Sequence, residues 1–385
     1  MRRATPPTQP RLDEPHAARA HLVRQAQAHG FHTAHVARLR PTPFRDVYDR
    51  WLAAGRHADM HYLARAHDER VDPARRMTSA RTALVLTVAH HHRRPPDPGG
   101  RAGLVARYAW GRDYHNLVGK RLRKLRRTLR NQGIPTWGAV DTAPILERAW
   151  AAASGIGFQG KSGLIIRPGT TSWTVLALVF LPVVVPPDAP LGDHCGRCRR
   201  CLDGCPTDAF RGAFDLDAGR CISYWTIEAR GLPPAPLRPG FGRWVFGCDV
   251  CQEVCPHNHH PPDPDEDDLL PRHAWLDLDE LLRADDATLM DRFLGTPLRR
   301  PGAAGLKRNA LLVLANLGDD HVVDLVAEHG LTHESPVVRA AAVHCLASLG
   351  GPVPPRDAHP LVAAEIATAR RAEGLRPARP PHPSG

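Results

Sequence analysis

The stretch "CGRCRRCLDGCP", Cys195 to Pro206, holds four of the nine cysteines in a chain of 385 residues. Cys195, Cys198, Cys201 and Cys205 follow the C-x2-C-x2-C-x3-C-P run of bacterial two-cluster ferredoxins, in which the fourth cysteine serves the other cluster. Further on, "CDVCQEVCP" supplies Cys248, Cys251 and Cys255 with a second Cys-Pro and is one ligand short, which Cys221 makes up. The eight thiols then divide as Cys195, Cys198 and Cys201 with Cys255, and Cys248, Cys251 and Cys221 with Cys205. Two zinc sites would use the same number of ligands, but zinc favours paired C-x2-C knuckles, whereas triplets with a Cys-Pro at each end fit cubane clusters. Cys345 stands in an apolar helical stretch and reads as an inert core residue.

Outward from the cysteines, the composition narrows the class. With 42% hydrophobic residues the chain is long enough for two or three domains. No apolar run reaches membrane-span length, and no apolar core follows Arg2-Arg3, so the reading is a soluble, cytoplasmic protein without membrane association. In that reducing compartment clustered cysteines mean metal rather than disulfides. The net charge of +11 favours an anionic partner, although arginines also serve solubility.

Residues 16–185 mix helical and strand patterns and are expected to form an α/β domain. A helical pattern runs through Arg40, and "TALVLTVAH" (Thr82 to His90) reads as a buried strand. Asn116 to Gln132 carries Leu117, Leu122, Leu125 and Leu129 at helical spacing beneath a basic face. A helix over Pro144 to Ser154 precedes two strands joined by a turn at Pro168-Gly169. Residues 186–262 are rich in turn residues, as expected where a metal replaces an apolar core. Residues 263–373 are helical, with Gly305 to Gly351 resembling a pair of HEAT-type repeats. The tails 1–15 and 374–385 are expected to be disordered.

"GIGFQGKS" (Gly155 to Ser162) matches both the phosphate-loop and the dinucleotide glycine patterns, which require a strand before the glycines and a helix after them. Here a helix precedes and strands follow. No helix N-terminus faces a phosphate, and nucleotide binding is excluded; the glycines instead let backbone approach something bulky, with Lys161 and Ser162 as donors.

Together "YAWGRDYH" (Tyr108 to His115), "VDTAPILER" (Val140 to Arg148), "GFQGKSG", the crossed cysteines with "CISYWTIE", and "GLKRNA" resemble the epoxyqueuosine reductase family over nearly the whole chain. The resemblance implies an α+β multidomain protein: a cobalamin-binding α/β domain, a ferredoxin-like domain with two 4Fe-4S clusters and a C-terminal HEAT-like domain. It implies reduction of the epoxide of epoxyqueuosine to the cyclopentene of queuosine in a tRNA anticodon loop, by a monomer fed by an external flavodoxin- or ferredoxin-like donor. It also implies Asp141 as proton donor and Arg70 at the corrinoid. Such a donor must keep its proton near neutral pH, which desolvation would achieve. Taken alone, Asp141 before "ILERAWAAA" reads as a helix N-cap. There is no D-x-H-x-x-G signature for a histidine lower ligand, and Ser162 stands where the family commonly has Asn.

Ser223 and Asp249, beside Cys221 and Cys248, are candidates to line the gap between cluster and corrin, or to satisfy loop backbone. Ile165 and Leu176 are strand positions that serve as cofactor contacts or core. Lys307, Arg308 and Asn309 open a repeat helix and are the candidate tRNA contacts, with Arg339 behind them. The competing readings are a ferredoxin-type electron carrier, a reductive dehalogenase, and a zinc-stapled RNA-binding repeat protein.

Overall fold

The structure is a computed structural model that describes residues 14–374 except 260, 262, 263 and 265. Both expected tails lie almost wholly outside the described residues. The helical pattern after Pro15 divides in two. Helix Pro15–Ala28 buries Ala18, Leu22 and Ala26. It ends at Gly30, whose φ of 84° no longer continues a helix, and Thr33–Arg38 then runs as a strand. This strand contradicts the helix expected through Arg40: pairing with Thr82–Ala89 outweighs a helical pattern of marginal strength.

The main sheet has the order Thr33–Arg38, Thr82–Ala89, Thr174–Leu181, Trp137–Ala139, with every pair antiparallel. The first domain is therefore α+β, not the parallel α/β unit expected. Both faces are covered, so the central strands are apolar throughout. Leu84, Leu86 and Val88 meet Leu22 and the Leu117, Leu122, Leu125 and Leu129 row of helix Tyr114–Asn131. Ala83 and Val85 point the other way, toward Trp150 of helix Glu147–Ala153. The period-two alternation of side chains along a strand puts a helix layer on each face. The turn at Pro168-Gly169 forms, but its flanking strands do not pair with each other: Ile165–Ile166 pairs with Phe158–Gln159, and Thr174–Leu181 joins the main sheet.

A second sheet ties the chain together. Its central strand, Ala102–Val105, comes from the first segment; Trp244–Phe246 from the cysteine-rich segment lies parallel to it, and Trp275–Asp277 lies antiparallel on the other side. Val105, Ala109 and Trp110 belong to the same core as Phe246, Leu276 and the buried residues of the C-terminal helices. Those helices, Gly302–Leu317, Pro336–Leu349 and Pro360–Gly374, pack on one another, and left-handed Gly318 and Gly350 end the first two. Among the described residues no helix is long and apolar enough to cross a membrane.

Candidate active site and cluster ligands

Asp141 is not a helix cap. The helix begins at Glu147 with Leu146 at its N-cap, and Asp141 sits upstream with a φ of 50°, a left-handed conformation that a non-glycine residue adopts only under constraint. The constraint comes from Glu147, whose Oε1 accepts the Asp141 N–H at 2.6 Å. The side chain is aimed at a second element. Tyr114 Oη donates to Asp141 Oδ2 at 2.9 Å, and His115 Nε2 lies 2.9 Å from the same oxygen. Tyr114 and His115 occupy the first turn of helix Tyr114–Asn131, whose N-cap Asp113 accepts the His115 N–H and also stands 2.9 Å from His115 Nδ1. Asp141 Oδ1 has no partner among the described residues, and half of the side chain is open to solvent.

The protonation state follows from these bonds. Hydrogen bonds to Asp113 and Asp141 raise His115 to about 9, so the ring is an imidazolium at neutral pH. Burial pushes the Asp141 carboxyl up, but the bonds from His115 and Tyr114 outweigh it and leave it below its usual value. The proton of the pair thus rests on His115, bracketed by two carboxylates. Glu147 goes the other way, raised to about 8 by burial and then by the Asp141 charge, so it is largely neutral at pH 7. Glu147 is half-buried, and its neighbour Arg148 is exposed. Tyr108 closes edge-on against Tyr114 with ring centres 5.9 Å apart, and Arg300, paired with Glu228 at 2.6 Å, adds positive potential at Asp141 from the C-terminal side.

The thiols gather as two quartets. Cys195, Cys198, Cys201 and Cys255 line one cavity, which Cys251 also reaches, and Cys201, raised first by burial, also feels Cys195, Cys255 and Cys198. Cys248 is raised by burial and then by Cys251 and Cys221, while Cys221 in turn feels Cys205. Cys251 feels Cys201 as well, so the quartets adjoin. Among the described residues no three cysteine sulfurs lie within 4.8 Å of one another. Arg148 feels the charges of Glu147 and Asp141 and also Cys251, so one thiol of the second quartet is near the acid site.

Other candidates fall elsewhere. Lys161 Nζ donates to the carbonyls of Gly196 at 2.6 Å and Cys198 at 2.9 Å, and with Ser162 it lines the first thiol cavity. The bulky neighbour of the glycine stretch is the protein itself: a Cβ on Gly155 would meet Ala189 O at 2.0 Å, and one on Gly160 would meet Ile166 at 2.4 Å. Ser223 hydrogen-bonds the Cys221 thiol. Asp249 is buried, and its Oδ2 takes the Arg107 N–H at 2.9 Å and guanidinium at 3.0 Å, so it pins the cluster loop. Arg70 donates to the carbonyls of Arg65 and Tyr62. Ile165 and Leu176 pack in the core behind the sheet.

The proposed tRNA contacts are corrected outright. Lys307, Arg308 and Asn309 are 4%, 1% and 1% exposed, out of reach of any phosphate. Arg308 donates to the carbonyls of Trp225, Ala229 and Gly231, Asn309 Nδ2 to those of Thr226 and Val245, and Lys307 pairs with Asp286 at 2.8 Å. Arg308 and Asn309 fasten the C-terminal helix to the cysteine-rich segment, and Lys307 ties it to its own segment. Arg339 is likewise engaged, with Asp357. Conversely, sequence reasoning quoted the motifs that hold Tyr114, His115, Glu147 and Arg148 without assigning these residues roles; their signal was ionisable residues flanking the expected acid within two quoted motifs.

Comparison with known proteins agrees. A profile described as "4Fe-4S double cluster binding domain" matches residues 194–258, which makes this a double-cluster iron–sulfur protein. A second, described as "Epoxyqueuosine reductase QueG, DUF1730", matches residues 70–142. An epoxyqueuosine reductase of Synechococcus sp. (strain CC9605) is 38% identical over 299 residues, covering 75% of this chain and 92% of that relative. One from Pseudomonas aeruginosa is 39% identical over 279 residues, covering 69% and 76%. A crystal structure of epoxyqueuosine reductase with an epoxyqueuosine-modified tRNA-Tyr stem loop superposes with a TM-score of 0.84 at 26% identity, covering 92% of this chain and 98% of the other. The Streptococcus thermophilus enzyme gives 0.83 at 26%, covering 93% and 99%. The chain belongs to the epoxyqueuosine reductase family, a family of oxidoreductases.

Proposed function

We propose that the chain reduces the epoxide of epoxyqueuosine in a tRNA anticodon loop to the cyclopentene of queuosine, with cobalamin and two 4Fe-4S clusters as its cofactors. The observation that carries this reading is the Asp141 carboxylate, free at Oδ1 and bonded at Oδ2 by a charged histidine, half open to solvent. The reaction consumes two electrons and two protons: both C–O bonds of the epoxide break, a C=C bond forms, and the oxygen leaves as water. Asp141 hands the departing oxygen a proton drawn from His115, while Tyr114 and the Glu147 bond fix the carboxylate's aim. Asp141 and Arg148 would hold cobalamin, with Arg70, buried and bonded to the Arg65 and Tyr62 carbonyls, behind them; the group would supply a two-electron cobalt nucleophile. Its fit rests on donor chemistry: an exposed guanidinium and a half-exposed carboxylate stand in one site.

In this reading Cys195, Cys198, Cys201 and Cys255 ligate one cluster, and Cys248, Cys251, Cys221 and Cys205 the other. An external flavodoxin- or ferredoxin-like donor refills them. Residues 263–373 form the HEAT-like domain, supported by the packed helices that end in left-handed glycines. Anaerobic single-turnover conversion of epoxyqueuosine-bearing tRNA by chemically reduced enzyme tests the assignment. Asp141→Asn keeps the shape and is expected to slow conversion by about 10²- to 10⁴-fold with iron content unchanged. Conversion at the wild-type rate would show that the proton comes from elsewhere.

A further inference from the structure

With Lys307, Arg308 and Asn309 buried, the anionic substrate needs another surface, and helix Tyr114–Asn131 carries one. Lys120, Arg123, Lys124, Arg127 and Arg130 recur at intervals of three and four residues, which places them on one face. All five are exposed, and none has a hydrogen bond or ion pair with any described residue. The other basic residues of the helix are committed, Arg121 to Glu266 at 2.6 Å and Arg126 to the Thr136 carbonyl at 3.1 Å. The helix contains no acidic residue, so the stripe repels itself, and like charges at this spacing cost a few tenths of a kcal/mol per pair. Elsewhere on the surface several exposed arginines, such as Arg45, Arg76, Arg199, Arg211 and Arg292, sit within 3.1 Å of a carboxylate. What distinguishes the helix is five exposed, unpaired cations on one face of a single element with no acidic residue in it.

The helix that bears the stripe also bears Tyr114 and His115, which bond Asp141. At 1.5 Å per residue the cations begin about 8 Å along the axis from His115 and end about 22 Å from it. The opposite face is locked into the sheet by Leu117, Val118, Leu122, Leu125 and Leu129, so the distance is fixed.

We propose that the Lys120, Arg123, Lys124, Arg127 and Arg130 stripe is the track on which the phosphate backbone of the substrate RNA docks while its modified base meets Asp141. This rests on the substrate reading above. A row of cations tracking a backbone is sequence-independent and salt-sensitive, and it sets register rather than reading bases. An acidic electron-donor protein is the other polyanion to consider. The stripe begins at the acid that meets the substrate, whereas the first thiol quartet has exposed Arg197 and Arg200 of its own between its ligands, so RNA is favoured.

The test uses reconstituted holoenzyme, an epoxyqueuosine-bearing anticodon stem loop, and binding measured across a salt series. Lys124→Gln, Arg127→Gln and Arg130→Gln combined are expected to weaken binding by roughly tenfold or more and to lower the salt slope by about two to three. Arg24→Gln, Arg283→Gln and Arg371→Gln combined remove the same charge from other elements and are expected to leave the slope near wild type. Equal losses in both sets, or none in the first, would overturn the proposal. So would a first set that binds RNA normally and is impaired only with a protein electron donor. If wild-type holoenzyme neither binds nor converts the stem loop, it is the substrate reading itself that fails.

Discussion

His115 is where the chemistry of the site is decided, because it holds a proton between Asp113 and Asp141 that neither carboxylate holds alone. Its folded value lies near 9, above the ordinary 6.5, so its ion pairs add stability that is fully present below about 6.5 and is lost as the pH rises through about 9. Single-turnover conversion should follow the same proton: level up to about pH 8, then falling on the alkaline side. His115→Gln should lower the rate and remove that alkaline limb, and an unchanged limb would assign the proton to another group. Glu147 presents a separate case. Glu147→Ala releases the Asp141 N–H and with it the left-handed backbone, and conversion should fall by about 10- to 100-fold through misplacement of the carboxylate. Glu147→Gln keeps an acceptor oxygen and should restore conversion to within a few-fold of wild type, with the difference read in kcat rather than KM.

Among the elements, helix Gly302–Leu317 was misjudged from sequence in an instructive way. Arg308 keeps its charge inside the protein with three carbonyls and Asn309 as partners and no carboxylate, and burial lowers it to about 10. Arg308→Ala leaves those carbonyls without donors and opens a cavity, a loss of roughly 3 kcal/mol or more. Because the carbonyls belong to the segment between Cys221 and Cys248, the variant should show both a lower melting temperature and iron loss from the second quartet. Retention of full iron content at wild-type stability would mean that the contact is not structural. The sequence pattern "GLKRNA" announced polar residues on a helix, and nothing local says whether such a face meets water or the carbonyls of a distant loop. The same limit hid the Thr33–Arg38 strand and the antiparallel order of the main sheet, both of which depend on partners far along the chain. The cysteines were legible because a cluster's ligands are set by short spacings and a Cys-Pro, and Thr82–Ala89 because a strand covered on both faces is apolar throughout. Lys120 to Arg130 was visible as a basic face, though not as an unpaired one.

At the scale of the molecule, eight cysteines at two-cluster spacing within a double-cluster profile match imply about eight irons and eight acid-labile sulfides per anaerobically reconstituted chain. Metal analysis showing two zincs and no iron would reverse the cluster assignment. The second sheet has a bearing on how that state is reached. The middle strand, Ala102–Val105, has no neighbour until Trp244–Phe246 and Trp275–Asp277 exist, and every cluster cysteine is made before the last of these. At the ~5–20 residues per second of synthesis, the growing chain spends about one to four seconds with its cysteines made and this sheet incomplete. Iron delivered in that interval would meet an open ligand loop, and iron delivered afterwards a closed one. Assembly of this protein is thus a race between metal supply and the arrival of one short strand.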